Sequence, residues 1–374
     1  MTDNLSSSEQ LSQRFYFLDS LRGICALYIT IYHFYSILKE KSEFIFPPIM
    51  DGIIGQATAG LRVFYILSGF VIAYSIYNKE ITISFFNRFI LRRSIRLDPP
   101  YWVTLIATLL ISLLSIIFFT KPMETFPSWQ IIMANSLYLQ DFLNMERIVH
   151  VSWTLCIELQ LYLFFVALIG LLIWVEKNRA VSQREKKFDA PIFLIPLGAL
   201  FLISLWQNVS AQIFIKGLFL PHWFSFFTGS LLCWIYLKAL SIRYYLLFFV
   251  ANLLFFLFEP SKPLGENLVV SGLFFLVIIK NRLSDLLNGP VLQYFGRISY
   301  SLYLTHWLIA GKLMDFLARN FANQMNSSLA LLLMTVCVSL AWLTAHFFYK
   351  WIEYPSLVFS QSFKRDQKVL KAPA

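Results

Sequence analysis

The stretch "DSLRGICALYITIYH", residues 19–33, sets Asp19, Arg22 and His33 in a run apolar enough to lie in a bilayer. An ionisable side chain there is a functional-site hypothesis by default, because stripping it of water is costly. Eleven helical steps of 100° make three turns plus about 20°, so Arg22 and His33 share one helix face. Asp19, three residues before Arg22, lies on that face and can pair with it. With the N-terminus inside, Arg22 falls near the cytoplasmic rim and His33 about 16 Å higher, in the outer half of a core about 30 Å thick. The plainer alternative is a snorkelling arginine and a core histidine, each satisfied by its neighbours.

A carboxylate beside an imidazole raises its basicity and selects its tautomer, as a general base requires. The segment "HVSWTLCIELQLYLFF" supplies Glu158 at a depth matching His33, near Trp153 and Gln160. A structural ion pair is the competing account. Further along, "NRFILRRSIRLDPPYW" concentrates Arg88, Arg92, Arg93 and Arg96, all arginine and no lysine. Guanidinium groups suit bidentate phosphate recognition, so this loop reads as a cytoplasmic anion site as well as an orientation signal. Pro99 and Pro100 are expected to stop its last turn against the next span. Ser68 and Gly69 in "FYILSGFVIAYS" are expected where helices approach closely. His306, in "FGRISYSLYLTHWLI", is either a second catalytic group or an interhelical hydrogen-bonding residue.

The elements that hold these residues follow from composition. The 374 residues are 58% hydrophobic and only 14% charged, against about 25% charged in soluble domains. That apolar surface needs lipid to cover it. Stretches long enough to cross a bilayer fall at 18–38, 58–77, 101–119, 153–175, 190–208, 212–237, 241–258, 264–281, 297–318 and 327–351. The segment 127–143 is interfacial or re-entrant. Lys and Arg in the loops and near the span ends number 21 on one side and seven on the other, a bias that puts both termini in the cytoplasm. The net charge of +10 is thereby explained by a membrane surface and not by nucleic acid. The expected fold is an all-α polytopic membrane bundle of about ten transmembrane helices. It has a polar N-terminus (1–14), a membrane domain (15–357) and a basic tail (358–374). The four cysteines have no paired spacing and read as buried thiols, and no metal site is expected.

Taken in order, these segments resemble the acyltransferase 3 family of integral membrane acyltransferases. The resemblance runs from about Phe17 to Pro355 and is weakest between 176 and 290. It rests on "LDSLRGICALYITIYH", "FYILSGF", "RRSIRLDPPY", "WTLCIELQLY", "GRISYSLYLTH" and "IEYPS". Two positions depart from the family pattern. Asp98 replaces an aromatic residue, and Leu159 replaces the second acid of a Glu-Glu pair. The resemblance implies transfer of an acyl group, most often acetyl from acetyl-CoA, to a hydroxyl of an extracytoplasmic glycan or lipid-linked sugar in the bacterial inner membrane. Acetyl-CoA is then a donor substrate, with no permanently bound cofactor. Members that carry no soluble esterase-like domain are the nearest in kind.

On this reading His33 is the general base, backed by Glu158, while Arg22, Arg92, Arg93 and Arg96 bind acyl-CoA. Asp19, Arg62, Ser68, Trp153, Gln160, Tyr162 and His306 line the site or stabilise an oxyanion. Direct transfer and an acyl-histidine intermediate are both compatible with it. The rival from another class is a transporter of a lipid-linked sugar or anionic solute. It predicts inverted repeats and helices broken at mid-membrane, and the sequence has no paired Gly/Pro interruptions.

Overall fold

A computed structural model describes residues 15–42, 46–119, 122, 125–179, 190–210 and 215–363. The expected N-terminal segment 1–14 and the tail beyond 363 lie outside the described residues. Where described, the chain is helical and otherwise turns. The helices are α1 (Tyr16–Lys41), α2 (Pro48–Ile54), α3 (Ala59–Ile76), α4 (Ile83–Phe119), α5 (Trp129–Ser136), α6 (Ser152–Arg179) and α7 (Ala190–Ser210). They continue as α8 (Trp223–Tyr236), α9 (Ile242–Phe258), α10 (Lys262–Ile279), α11 (Pro290–Thr305), α12 (Lys312–Asn320), α13 (Ser327–Phe348) and α14 (Tyr354–Ser362).

Seven helical stretches among the described residues are long and apolar enough to cross a membrane, and α9 is a shorter apolar one. The other two expected spans differ in form. In place of 212–237, residues 215–222 are turn and 3₁₀-helix, and α8 has only fourteen residues. Every residue of α8 from Trp223 to Ile235 is buried, as befits a helix that is apolar all round. It is an interior strut. The expected 297–318 span is α11 and α12 joined through His306 and a π-helical segment, Trp307–Gly311. The interrupted 127–143 segment contains only the short α5, whose Trp129 is 70% exposed.

Pro99 and Pro100 do not end a helix, contrary to expectation. Both lie inside α4, whose 37 residues extend about 55 Å at 1.5 Å per residue. Interior prolines are tolerated in membrane helices where neighbours engage the loosened backbone. Beside the two prolines, the Tyr300 hydroxyl of α11 ties the Leu97 carbonyl down at 2.8 Å, and Thr104 of α4 itself donates to the Pro100 carbonyl at 3.0 Å. The arginine "loop" is therefore the first half of a rigid rod. Its second half is lipid-facing along one stripe, with Ile106, Leu110, Leu114 and Ile117 exposed.

Glycines set the closest crossings. A Cβ on Gly69 of α3 would overlap the Phe226 carbonyl of α8, and one on Gly229 would overlap the Ile66 carbonyl. Gly23 of α1 meets Phe295 and Gly296 of α11, and Gly296 meets the Asp19 backbone. This is small-residue packing of the membrane type. Around the α3–α8 crossing, Phe70, Phe165, Trp223, Phe226 and Phe227 form a fully buried aromatic core. A second π segment, Tyr349–Glu353, links α13 to α14. Pro355 just beyond it has no N–H to extend the regular ladder backwards.

Candidate active site

The close α1–α11 packing brings His33 against His306. Their rings stack with centroids 5.3 Å apart at 23°. His150, in the turn before α6, meets His33 edge-on at 5.7 Å and stacks on Trp307 at 4.2 Å. Trp307 closes the group, edge-on to His33 at 5.6 Å. His306 is fully buried, and its Nδ1 lies 3.1 Å from the Leu302 carbonyl. A carbonyl only accepts, so Nδ1 carries the proton and Nε2 presents a lone pair. That Nε2 has no hydrogen-bond partner among the described residues. Burial, then the nearby Arg147, pulls the His150 imidazole below its usual pKa.

Glu158 is not where depth alone suggested. No hydrogen bond or ion pair joins it to His33 among the described residues. Instead Glu158 accepts from the Ser68 hydroxyl at 2.8 Å, which also lies 3.0 Å from the Tyr162 hydroxyl. The Arg93 guanidinium sits over the Tyr162 ring at 4.6 Å. Arg93 is in Coulombic reach of Glu158 and Arg22, and Arg96 of Arg93, Arg22, Glu353 and Glu158. Equal depth on two helices leaves rotation about each axis free, and α1 turns its histidine toward α11.

Three guanidiniums thus face two carboxylates in the half-buried interior. Glu353, in the second π segment, is buried and accepts from the Ser301 amide at 3.0 Å and from its hydroxyl. It lies within the "IEYPS" motif, yet it is absent from the residues expected to form the site. Arg92 is partly exposed beside Arg93, and its Nε is unpaired among the described residues. Arg88 faces outward on α4.

Arg62 belongs to another buried group. Its Nε lies 3.6 Å from Glu266 of α10 and its Nη1 lies 3.3 Å from His222 Nδ1. The guanidinium lies between the Tyr65 and Phe224 rings, and Thr58 donates to Glu266 at 2.5 Å. Trp153 borders His222 at 6.1 Å. Glu266 is the lone acid of an apolar span, so the rule that singles out His33 applies to it equally, and it applies to His222 within the expected 212–237 span as well. Gln160 holds a loop in place. Its amide donates to the Gly217 carbonyl at 2.7 Å and its oxygen accepts from the Phe219 amide at 3.1 Å. Gly217 needs its positive φ of 73° there.

A polar seam joins these groups. Tyr65, Tyr303 and Glu158 are electrostatic neighbours, Tyr303 shares a 2.6 Å hydrogen bond with Thr154, and its ring lies 6.1 Å from His306. Among the described residues no cluster of His, Cys, Asp or Glu is arranged to hold a metal ion, and the four cysteines are free and buried.

A bundle of long apolar helices around buried histidines, arginines and carboxylates is that of a multi-pass integral membrane protein. The acyltransferase 3 family, described as an acyltransferase domain, matches residues 15–346, and the chain belongs to it. It is accordingly a membrane acyltransferase, acting on an acyl donor and an acceptor. No curated protein matches the chain, and no solved structure does.

Proposed function

We propose that this acyltransferase moves an acyl group, acetyl in the first instance, from cytoplasmic acyl-CoA to a hydroxyl of an extracytoplasmic glycan or lipid-linked sugar. The carrying observation is one helix with two chemistries. Arg22 on α1 neighbours Arg93 and Arg96, and eleven residues on, His33 stacks on His306. The arginines would take the CoA phosphates by charge-assisted contacts, and the pantetheine arm would run along α1 to bring the thioester to His33. A thioester is already activated, so the needs are a base for the acceptor hydroxyl and stabilisation of the oxyanion.

His33 acts as that base. It removes the hydroxyl proton as the new C–O bond forms, and returns it to sulfur as the C–S bond breaks. Glu158 and Glu353 keep the arginines in register and lower the cost of burying them. The acceptor approaches from the side of exposed His150, and Trp307 and His150 wall the histidines there. The distribution of basic residues supports cytoplasmic termini, and a cytoplasmic acyl-CoA donor is in keeping with an inner-membrane location.

The test is transfer of labelled acetyl from acetyl-CoA to a soluble glycan acceptor by purified protein in lipid nanodiscs. Label in the acceptor supports the reading. CoA binding without turnover on any hydroxyl acceptor would overturn it.

A further inference from the structure

The fully buried, unpartnered Nε2 of His306 has a use in the proposed acyl transfer, and the role assigned to it rests on that reading of the site. A buried acceptor left without a donor costs about 1–3 kcal/mol, so a fold that keeps one has a donor arriving from elsewhere. The ring's other nitrogen, Nδ1, is engaged with the Leu302 carbonyl. Among the described residues the neighbouring rings give it no hydrogen bond: Tyr303 has its hydroxyl on Thr154, Phe34 has nothing to give, and His33 lies face to face with it instead of pointing an N–H at it. The locked tautomer means that Nε2 can only accept. The extra residue of the π segment directly after His306 is a device often found where a side chain is aimed at a ligand.

We infer that His306 selects the acceptor: its Nε2 takes a hydrogen bond from a hydroxyl adjacent to the one acylated at His33, so the acceptor is a vicinal diol of the kind carried on a sugar ring. The nearly parallel rings, 5.3 Å apart, let two groups on neighbouring carbons address both imidazoles together. One hydroxyl gives its proton to His33 and becomes the ester oxygen. The other keeps its proton and only donates to His306. An isolated alcohol can satisfy one ring and leaves the other bare.

The experiment compares a methyl glycoside bearing the free vicinal pair with its monodeoxy analogue lacking one of the two hydroxyls, both at saturating acetyl-CoA. A site built to bond a hydroxyl discriminates against the analogue lacking it by about 10-fold or more in kcat/KM. His306→Leu should bring the two acceptors to within about 2-fold of each other by slowing the diol, since a single lost pairing accounts for the preference. His306→Gln, whose amide oxygen can still accept near the Nε2 position, should restore part of the preference. CoA-induced thermal stabilisation, unchanged in both variants, shows that they are folded. Equal use of diol and deoxy acceptors by the wild type would overturn the inference while leaving acyl transfer standing. So would a His306→Leu protein whose loss appears only as a raised KM for acetyl-CoA, which would assign Nε2 to the pantetheine amide. If neither acceptor is acylated by the wild type, it is the acyl-transfer reading itself that fails.

Discussion

His33 is the side chain on which the chemistry turns, and its surroundings make a sharp separation of roles testable. It touches His306, His150 and Trp307, and none of these is a phosphate-binding group. His33→Ala should therefore abolish acetyl transfer while leaving CoA affinity, read by calorimetry, within about 2-fold of wild type, because no charge-assisted contact is lost. Turnover retained by that variant would contradict the assignment. The arginines predict the reverse pattern. Arg93→Ala combined with Arg96→Ala removes two groups, each worth about 1.5–3 kcal/mol in a hydrogen bond to a charged partner. CoA affinity should fall by about 100-fold or more, and a smaller fall would move the phosphate site elsewhere. Arg93 also stacks on Tyr162, so Arg93→Lys is not conservative: lysine keeps the charge but not the planar face.

Between residues and fold stand the helix crossings, and two glycines fix the one that carries Ser68. Gly69 and Gly229 each abut the other helix's backbone carbonyl, which cannot be displaced without moving a helix. Gly69→Ala should lower the melting temperature in detergent by several degrees, since overpacking costs about 1–3 kcal/mol or more. Gly52→Ala, where a Cβ meets nothing within 4 Å, is the control and should be neutral or slightly stabilising. Equal melting of the two variants would show that the crossing is softer than its geometry.

These elements also explain what is legible in the sequence. The register of Arg22 and His33 can be read there because helical periodicity relates residues of one helix. The neighbour of His33 cannot, because depth is a one-dimensional quantity and the azimuth of α1 is set by where Gly23 meets α11: its ring lies on His306, while Glu158 takes the Ser68 hydroxyl. Proline rules favour a break at Pro99, and tertiary contacts from Tyr300 override them. The α8 segment looks like a span because it is apolar throughout. It is short because its surroundings are protein and not lipid. His150 is inconspicuous because it sits outside every span, where a histidine is ordinary until the fold lays it on Trp307.

At the scale of the whole molecule, the proposal requires a fixed polarity: arginine-rich α4 inside, His150 outside. Counted over the ten stretches expected from the sequence, the 21-to-seven division of basic residues supports that orientation, since lysine and arginine resist translocation and accumulate on the cytoplasmic side. The four native cysteines are all buried, so single introduced thiols can report on sidedness over a low background. Arg88 and Arg243 are exposed on one side of this scheme, Lys39 and Arg319 on the other. In intact spheroplasts a membrane-impermeant maleimide should label Lys39→Cys and Arg319→Cys, and should reach Arg88→Cys and Arg243→Cys only after permeabilisation. The length of α4 sharpens the expectation, because about 55 Å of helix exceeds the roughly 30 Å of hydrocarbon and must project its first turns into water. Labelling of Arg88→Cys from outside would put the guanidiniums on the face that cytosolic acyl-CoA never meets. The donor would then have to be an extracytoplasmic acyl carrier, and the same histidines would be serving a different reaction.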